Sequence, residues 1–316
     1  IDTGWIGVSI FLFISGYSLS LNKIKKNAKL NVTQFFSNRL LRIMPLWIIC
    51  ISILISTHSL DSIQVISLLF LQMSSLPSST FSLAWSLQWE FACYLLFPIF
   101  FYTLCNNKKH IIVYFLFFLA VRVWMFFVPI DTIYQLSYSS IFGGATLFLT
   151  GMYLTTLKKL NRGAKSFIYL FTGLTLLIIF SYTFKELGGW QNAEREKAFY
   201  LFLFMPEILA FSIFIFLRGF FVNNQRDMKF NPFTSSIAFF GKISYSAYIF
   251  SLFTVDFISR VLDFISPGTW ISMLTYIILY FIILTIFSSL SFFAIEKPFL
   301  DMRKQYVKRA HKKIKF

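Results

Sequence analysis

Nine apolar runs constrain what this chain can fold into. They fall at about residues 4–21, 43–57, 85–105, 111–130, 136–157, 167–184, 198–220, 237–259 and 270–295. Most have the length a helix needs to cross the ~30 Å hydrocarbon core of a bilayer. Their hydrophobicity is continuous rather than alternating, which argues against a transmembrane β-barrel. Hydrophobic residues make up 57% of the 316 and charged residues 13%, where a soluble domain carries about 25% charged. The expected fold is therefore all-α: a polytopic transmembrane helical bundle, one integral-membrane domain over residues 1–316. Residues 58–82 are polar and serine-rich around an insert at 65–73 that is too short to cross. That segment reads as re-entrant or interfacial.

The net charge of +16 raises nucleic acid as a partner. Its distribution points instead to a bilayer. If the basic loop at 22–42 is cytoplasmic, alternation across the spans puts most of the 29 lysines and arginines on that same side. This is the positive-inside pattern, and it favours the anionic inner leaflet. It makes the C-terminus cytoplasmic and residues 297–316 a basic cytoplasmic tail. It also puts Ile1 outside, with no signal peptide before it. One further span ahead of Ile1 would give ten spans with both ends inside, so a missing first span is expected.

Cys50, Cys93 and Cys105 show no paired or metal-type spacing and read as small packing residues. His58, His110 and His311 are scattered, so no metal site is expected.

The stretch at 83–98, LAWSLQWEFACYLLFP, carries one carboxylate, Glu90. A charge inside a spanning helix costs at least ~2.5–3.5 kcal/mol on insertion scales and usually faces a partner or a wet cavity. Glu90 is thus a candidate catalytic residue, with arginines on other segments as its expected partners. A structural ion pair is the competing reading. Trp85, Ser86 and Trp89 on the same stretch are candidate substrate contacts.

Arg39 and Arg42 stand three apart beside a membrane entry that is expected to begin at Pro45. Paired guanidinium groups suit a phosphate, which arginine grips in bidentate fashion. On spacing alone, ordinary cytoplasmic flanking is the favoured explanation. Arg122 and Glu207 lie at depth in other spans, and pairing among Arg122, Glu90 and Glu207 is expected. Asp256 lies near the outer end of its span. Ser244, Tyr245, Ser246 and Tyr248 put hydroxyls on an apolar helix, for substrate or for a neighbouring helix. Glu296 precedes Pro298, which is expected to stop the last helix. No phosphate-cradling glycine loop and no nucleophile elbow occur in the sequence.

Taken in order, these stretches resemble the membrane acyltransferase 3 family. GVSIFLFISGY at 7–17 is similar to the family's GVxxFFxLSGF, and Arg39 to Pro45 to its cytoplasmic RxxRIxP. WSLQWEFACYLLFP at 85–98 is similar to WSLxxExxFYLxxP, and GKISYSAYIFS at 241–251 to GKISYSxYLxH. Glu296-Lys297-Pro298 matches a terminal EKP.

The resemblance implies a ten-span inner-membrane enzyme moving an acyl group, often acetyl from acetyl-CoA, to a hydroxyl of a surface carbohydrate. Acyl-CoA would be the donor substrate, held by Arg39 and Arg42, and the partners would be the bilayer and a carbohydrate acceptor. Trp85, Ser86, Trp89, Arg122 and Tyr245 remain candidate substrate contacts. The family's catalytic histidine lies on its first span, which this sequence lacks, and the histidine that often ends the GKISYS helix is Ser251 here. The competing classes are a transporter or flippase for a lipid-linked glycan, which buried charges and glycine-rich helices also fit, and a non-catalytic partner in polysaccharide assembly.

Overall fold

The computed structural model describes residues 5–25, 30–57, 61–69, 85–107, 109–125, 141–156, 168, 171–176, 178–179, 182, 207–214, 232–262 and 270–302. These residues are almost entirely helical, and no strand occurs among them. The elements are α1 (Trp5–Lys25), α2 (Val32–Thr57), α3 (Ser62–Leu69), α4 (Trp85–Asn106), α5 (Lys109–Met125), α6 (Ile141–Leu154), α7 (Pro232–Leu262) and α8 (Trp270–Ser291). A π-helical turn, Phe292–Glu296, follows α8. Three helical stretches among the described residues are long and apolar enough to cross a membrane: Val32–Ile53, Ser86–Asn106 and Leu274–Met302. Gly7–Leu21 and Gly144–Leu154 are shorter apolar helices. The protein is a helical membrane protein.

Much of the expected topology falls outside the described residues. This holds for most of the spans at 167–184 and 198–220, for 70–82, for the basic residues at 158–165 and 218–229, and for the tail beyond 302.

The chain forms two compact units, each drawn from separated stretches of sequence. The first comprises 1–30 and 86–229, the second 31–85 and 230–316.

In the first unit, α1 and α5 both pack on α6. The contact of α1 with α6 depends on Gly16 and Gly151. A Cβ on Gly16 would collide with the Phe148 carbonyl, and one on Gly151 with the Phe13 carbonyl. Small residues at such crossings let helix backbones approach, because dispersion contacts drive association within lipid. Gly7, by contrast, has nothing within 4 Å of where its Cβ would stand. Changing Gly151 to leucine is therefore expected to destabilise the protein by at least the 1–3 kcal/mol (roughly) of an overpacked core. Gly7→Ala should be nearly neutral. Unfolding temperatures of the two variants in detergent would separate them. Aromatic contacts complete this unit: Phe13 and Tyr17 against Phe214, and Phe97 against Phe148.

In the second unit, α7 packs along α8, while α2 touches both α3 and the π-helical turn. Phe250 stacks on Phe287 at 6.2 Å between ring centroids. The outer face of α8 exposes Leu274, Ile278, Phe281 and Ile282. That spacing is one helical stripe, and in a bilayer it suits lipid.

Two expectations about proline are overturned. Pro45 does not open the second helix: α2 starts at Val32 and carries Pro45 inside it. Arg39 and Arg42 therefore ride on the same helix that enters the membrane, not on a loop before it. Pro298 does not stop the last helix either, since residues 297–302 remain helical. The π-helical turn accounts for this. Its wider hydrogen bond, from the Lys297 N–H to the Phe292 carbonyl, comes just before the proline. A proline ring clashes with the carbonyl four residues earlier in a regular α-helix, and a local change of register relieves that clash.

Candidate active site

The first unit holds Glu90 in the opening turns of α4, 7% exposed. Tyr94, one turn further along the same face, donates its hydroxyl to Glu90 Oε1. The Ser15 hydroxyl of α1 lies 3.3 Å from the Tyr94 oxygen. Tyr94 has one proton and directs it to the carboxylate, so Ser15 is the donor in that second bond. A polar chain thus runs from α1 through Tyr94 to Glu90 within an apolar unit. Pro98 shapes the same place. It lies inside α4 and offers no N–H to the carbonyl of Tyr94, four residues back.

Ser86 and Trp89 are buried on α4 beside Glu90, and Trp85 is its first residue. The Trp89 indole Nε1 is buried and has no hydrogen-bond partner. An unsatisfied buried N–H is uncommon and calls for a reason. Cys93 is buried among these residues and Cys50 in α2, both as free thiols. Cys105, also expected to pack, is exposed.

The ion pair expected between a buried arginine and a buried carboxylate joins Arg122 to Glu207. Arg122 Nη1 lies 2.8 Å from Glu207 Oε1, and the Thr146 hydroxyl donates to that same oxygen at 2.7 Å. Arg122 is 2% exposed. Its charge is thus directed at Glu207. The carboxylate's other oxygen, Oε2, is buried with no hydrogen-bond partner.

The second unit gathers the remaining candidates. Arg39 lies with its guanidinium 5.8 Å from the centre of the Phe35 ring, one turn back on α2. Tyr245 is buried on α7 and donates its hydroxyl to the Ile43 carbonyl at 2.8 Å. Its proton is therefore directed at the backbone next to Arg42. Ser246, fully buried, donates to Glu296 Oε1. The Ser291 hydroxyl lies 3.4 Å from Ser246. Glu296 is 2% exposed, and the Arg42 guanidinium is within electrostatic reach of it. Ser244 is exposed and bonds to the Gly241 carbonyl of its own helix. Asp256 lies on α7, and its side chain is outside the described residues.

Among the described residues, no group of three or more histidine, cysteine, aspartate or glutamate side chains stands close enough to hold a metal ion. Sequence reasoning passed over Tyr94, Ser15 and Thr146. Tyr94 was within reach of it, because a tyrosine four residues after a buried glutamate shares its helical face. Ser15 and Thr146 come from distant segments, and nothing local announces them.

The sequence profile of the acyltransferase 3 family, described as an acyltransferase domain, matches residues 3–292. No curated protein and no solved structure gives a significant match.

Proposed function

The chain belongs to the acyltransferase 3 family and is a membrane acyltransferase, and we propose that it moves an acyl group, acetyl first among candidates, from acyl-CoA to a hydroxyl of an extracytoplasmic glycan. The observation that carries this reading is Glu90: a buried carboxylate held by Tyr94 and Ser15 inside the family's WSL stretch. A carboxylate so held is suited to orient a basic imidazole and to stabilise its cation.

In the reaction, the acceptor hydroxyl oxygen attacks the thioester carbonyl, directly or after the acyl group has passed through the imidazole. The C–S bond breaks, the acceptor's proton passes to the imidazole, and the imidazolium gives it to the departing sulfur, so that CoA is released as the thiol. The resemblance assigns that imidazole to a histidine of the family's first span. Glu90 acts through it. The Trp89 indole N–H is a donor without a partner, and we assign it to the acyl carbonyl oxygen. Ser86 would line the same approach, while the side chain of Trp85, the other candidate on this stretch, lies outside the described residues. Arg122 would act on the substrate only indirectly, through the network it forms with Glu207.

Arg39 and Arg42 would hold the phosphates of CoA from the cytoplasmic side. The charge asymmetry of the loops supports this direction, with an inner-membrane location and a cytoplasmic C-terminus. Acceptor glycan and lipid bilayer are the remaining partners of this reading.

The test is transfer from radiolabelled acetyl-CoA by membranes carrying the natural full-length gene product. Label is expected in a surface glycan, and Arg39→Ala and Arg42→Ala should each cut its incorporation by about tenfold or more, the loss of a charge-assisted contact. A folded protein with its native glycan present, yet with no transfer from any acyl-CoA, would overturn the reading in favour of glycan transport.

A further inference from the structure

Tyr245 and Ser246 are adjacent in sequence and hold different elements of the second unit. Tyr245 donates to the carbonyl of Ile43, the residue after Arg42. Ser246 donates to Glu296 within the π-helical turn. The same turn packs against α2. Neighbouring side chains of α7 therefore tie the arginine-bearing helix and the Glu296 turn to one place. Three motifs that lie far apart in the chain meet there.

A carboxylate as buried as Glu296 is costly without donors and a compensating charge. Ser246 supplies the donor, with Ser291 behind it. Arg42 stands next to the Ile43 carbonyl that Tyr245 holds, and its charge acts on Glu296. Guanidinium groups bind phosphate through a planar fork, so their value depends on how the plane is aimed. A carboxylate fixed close by can bias that plane through its charge, as outer partners orient the ligands of other polar sites. The π-helical turn gives the reason for its placement, since it re-registers the helix just where Glu296 stands. Such single-turn π bulges are frequent at functional sites.

We propose that Glu296, held by Ser246 and the π-helical turn, is a positioning residue that aims the Arg42 guanidinium at the phosphates of the acyl-CoA donor. The proposal rests on the reading that Arg39 and Arg42 bind that donor. Tyr245 serves the same purpose by fixing the backbone beside Arg42.

The test uses the full-length protein in membranes, with activity normalised to the amount of folded protein. Glu296→Gln is expected to raise the KM for acetyl-CoA about tenfold, with kcat nearly unchanged. Ser246→Ala, which removes one hydroxyl, should move KM in the same direction by less, and Glu296→Asp should recover part of the loss. Adding Glu296→Gln to Arg42→Ala should change KM little beyond Arg42→Ala alone, because the two residues act as one unit. Removing a negative charge without any aiming role would draw the anionic donor in, so a lowered KM in Glu296→Gln overturns the proposal. So do additive effects in the double variant, or an unchanged KM in both Glu296→Gln and Ser246→Ala. If Arg42→Ala raises KM while those two variants do not, the donor reading stands and the positioning role falls. If Arg42→Ala itself leaves KM unchanged, the donor reading falls as well.

Discussion

Glu90→Gln is expected to lower the turnover of acyl transfer by about 10²–10⁴-fold, the range a positioned acid–base system contributes. The substitution keeps the shape of the side chain and its Oε1 acceptor. Tyr94 can still donate to it, and the bond from Ser15 to Tyr94 is untouched. The fold should therefore survive, and KM for the donor should change little. What is lost is the negative charge needed beside an imidazole that becomes a cation during reaction. Tyr94→Phe tests the same chain from its other end. It leaves the carboxylate charged but removes one of the bonds that orient it, so a smaller fall in turnover is expected. The two variants measured together, with unfolding temperatures as a control, separate charge from orientation. A Glu90→Gln protein of full activity would remove Glu90 from the chemistry and leave it a structural carboxylate.

The helical class and the membrane setting were legible in the sequence because both depend on composition and on run length. Continuous apolar stretches can satisfy backbone groups in lipid only as helices. The positions of the prolines were misread for a physical reason. Pro45 and Pro298 look like boundaries under rules learned from isolated helices. Here packing partners and a π-helical turn absorb them. The pairing of charges was half legible. That Arg122, Glu90 and Glu207 are too costly to stand alone follows from their depth in apolar runs. Which arginine meets which carboxylate depends on tertiary neighbours such as Thr146, and no spacing along the chain reports that. The same holds for the motifs. The SGY and WSL stretches meet through Ser15 and Tyr94 in one unit. The arginine pair, the GKISYS helix and the EKP turn meet in the other. In sequence each looked modest and each had a structural explanation. In the structure each set is joined by hydrogen bonds within its own unit, a pattern that no one stretch of sequence displays.

Arg122→Met is expected to destabilise the protein by about 3–5 kcal/mol, the cost of leaving one partner of a buried ion pair behind. Arg122 is almost wholly buried, and Glu207 is nine-tenths so. After the substitution, Glu207 would keep only the Thr146 hydroxyl on Oε1, while Oε2 already has no partner. A buried carboxylate without its cation is costly in an apolar unit. Glu207→Gln should cost less than Arg122→Met, because arginine still finds an amide oxygen and the long side chain has more ways to relax. Combining Arg122→Met with Glu207→Leu removes both charges at once. The pair's mutual attraction is then lost together with its desolvation cost, so the double variant is expected to recover most of the stability. Unfolding of the solubilised protein, followed for the single and double variants, measures this directly. Recovery of stability without recovery of transfer would show that the pair serves the substrate as well as the fold. Recovery of both would make it a structural link between α5 and the helical stretch at 207–214, and would take Arg122 out of the substrate site.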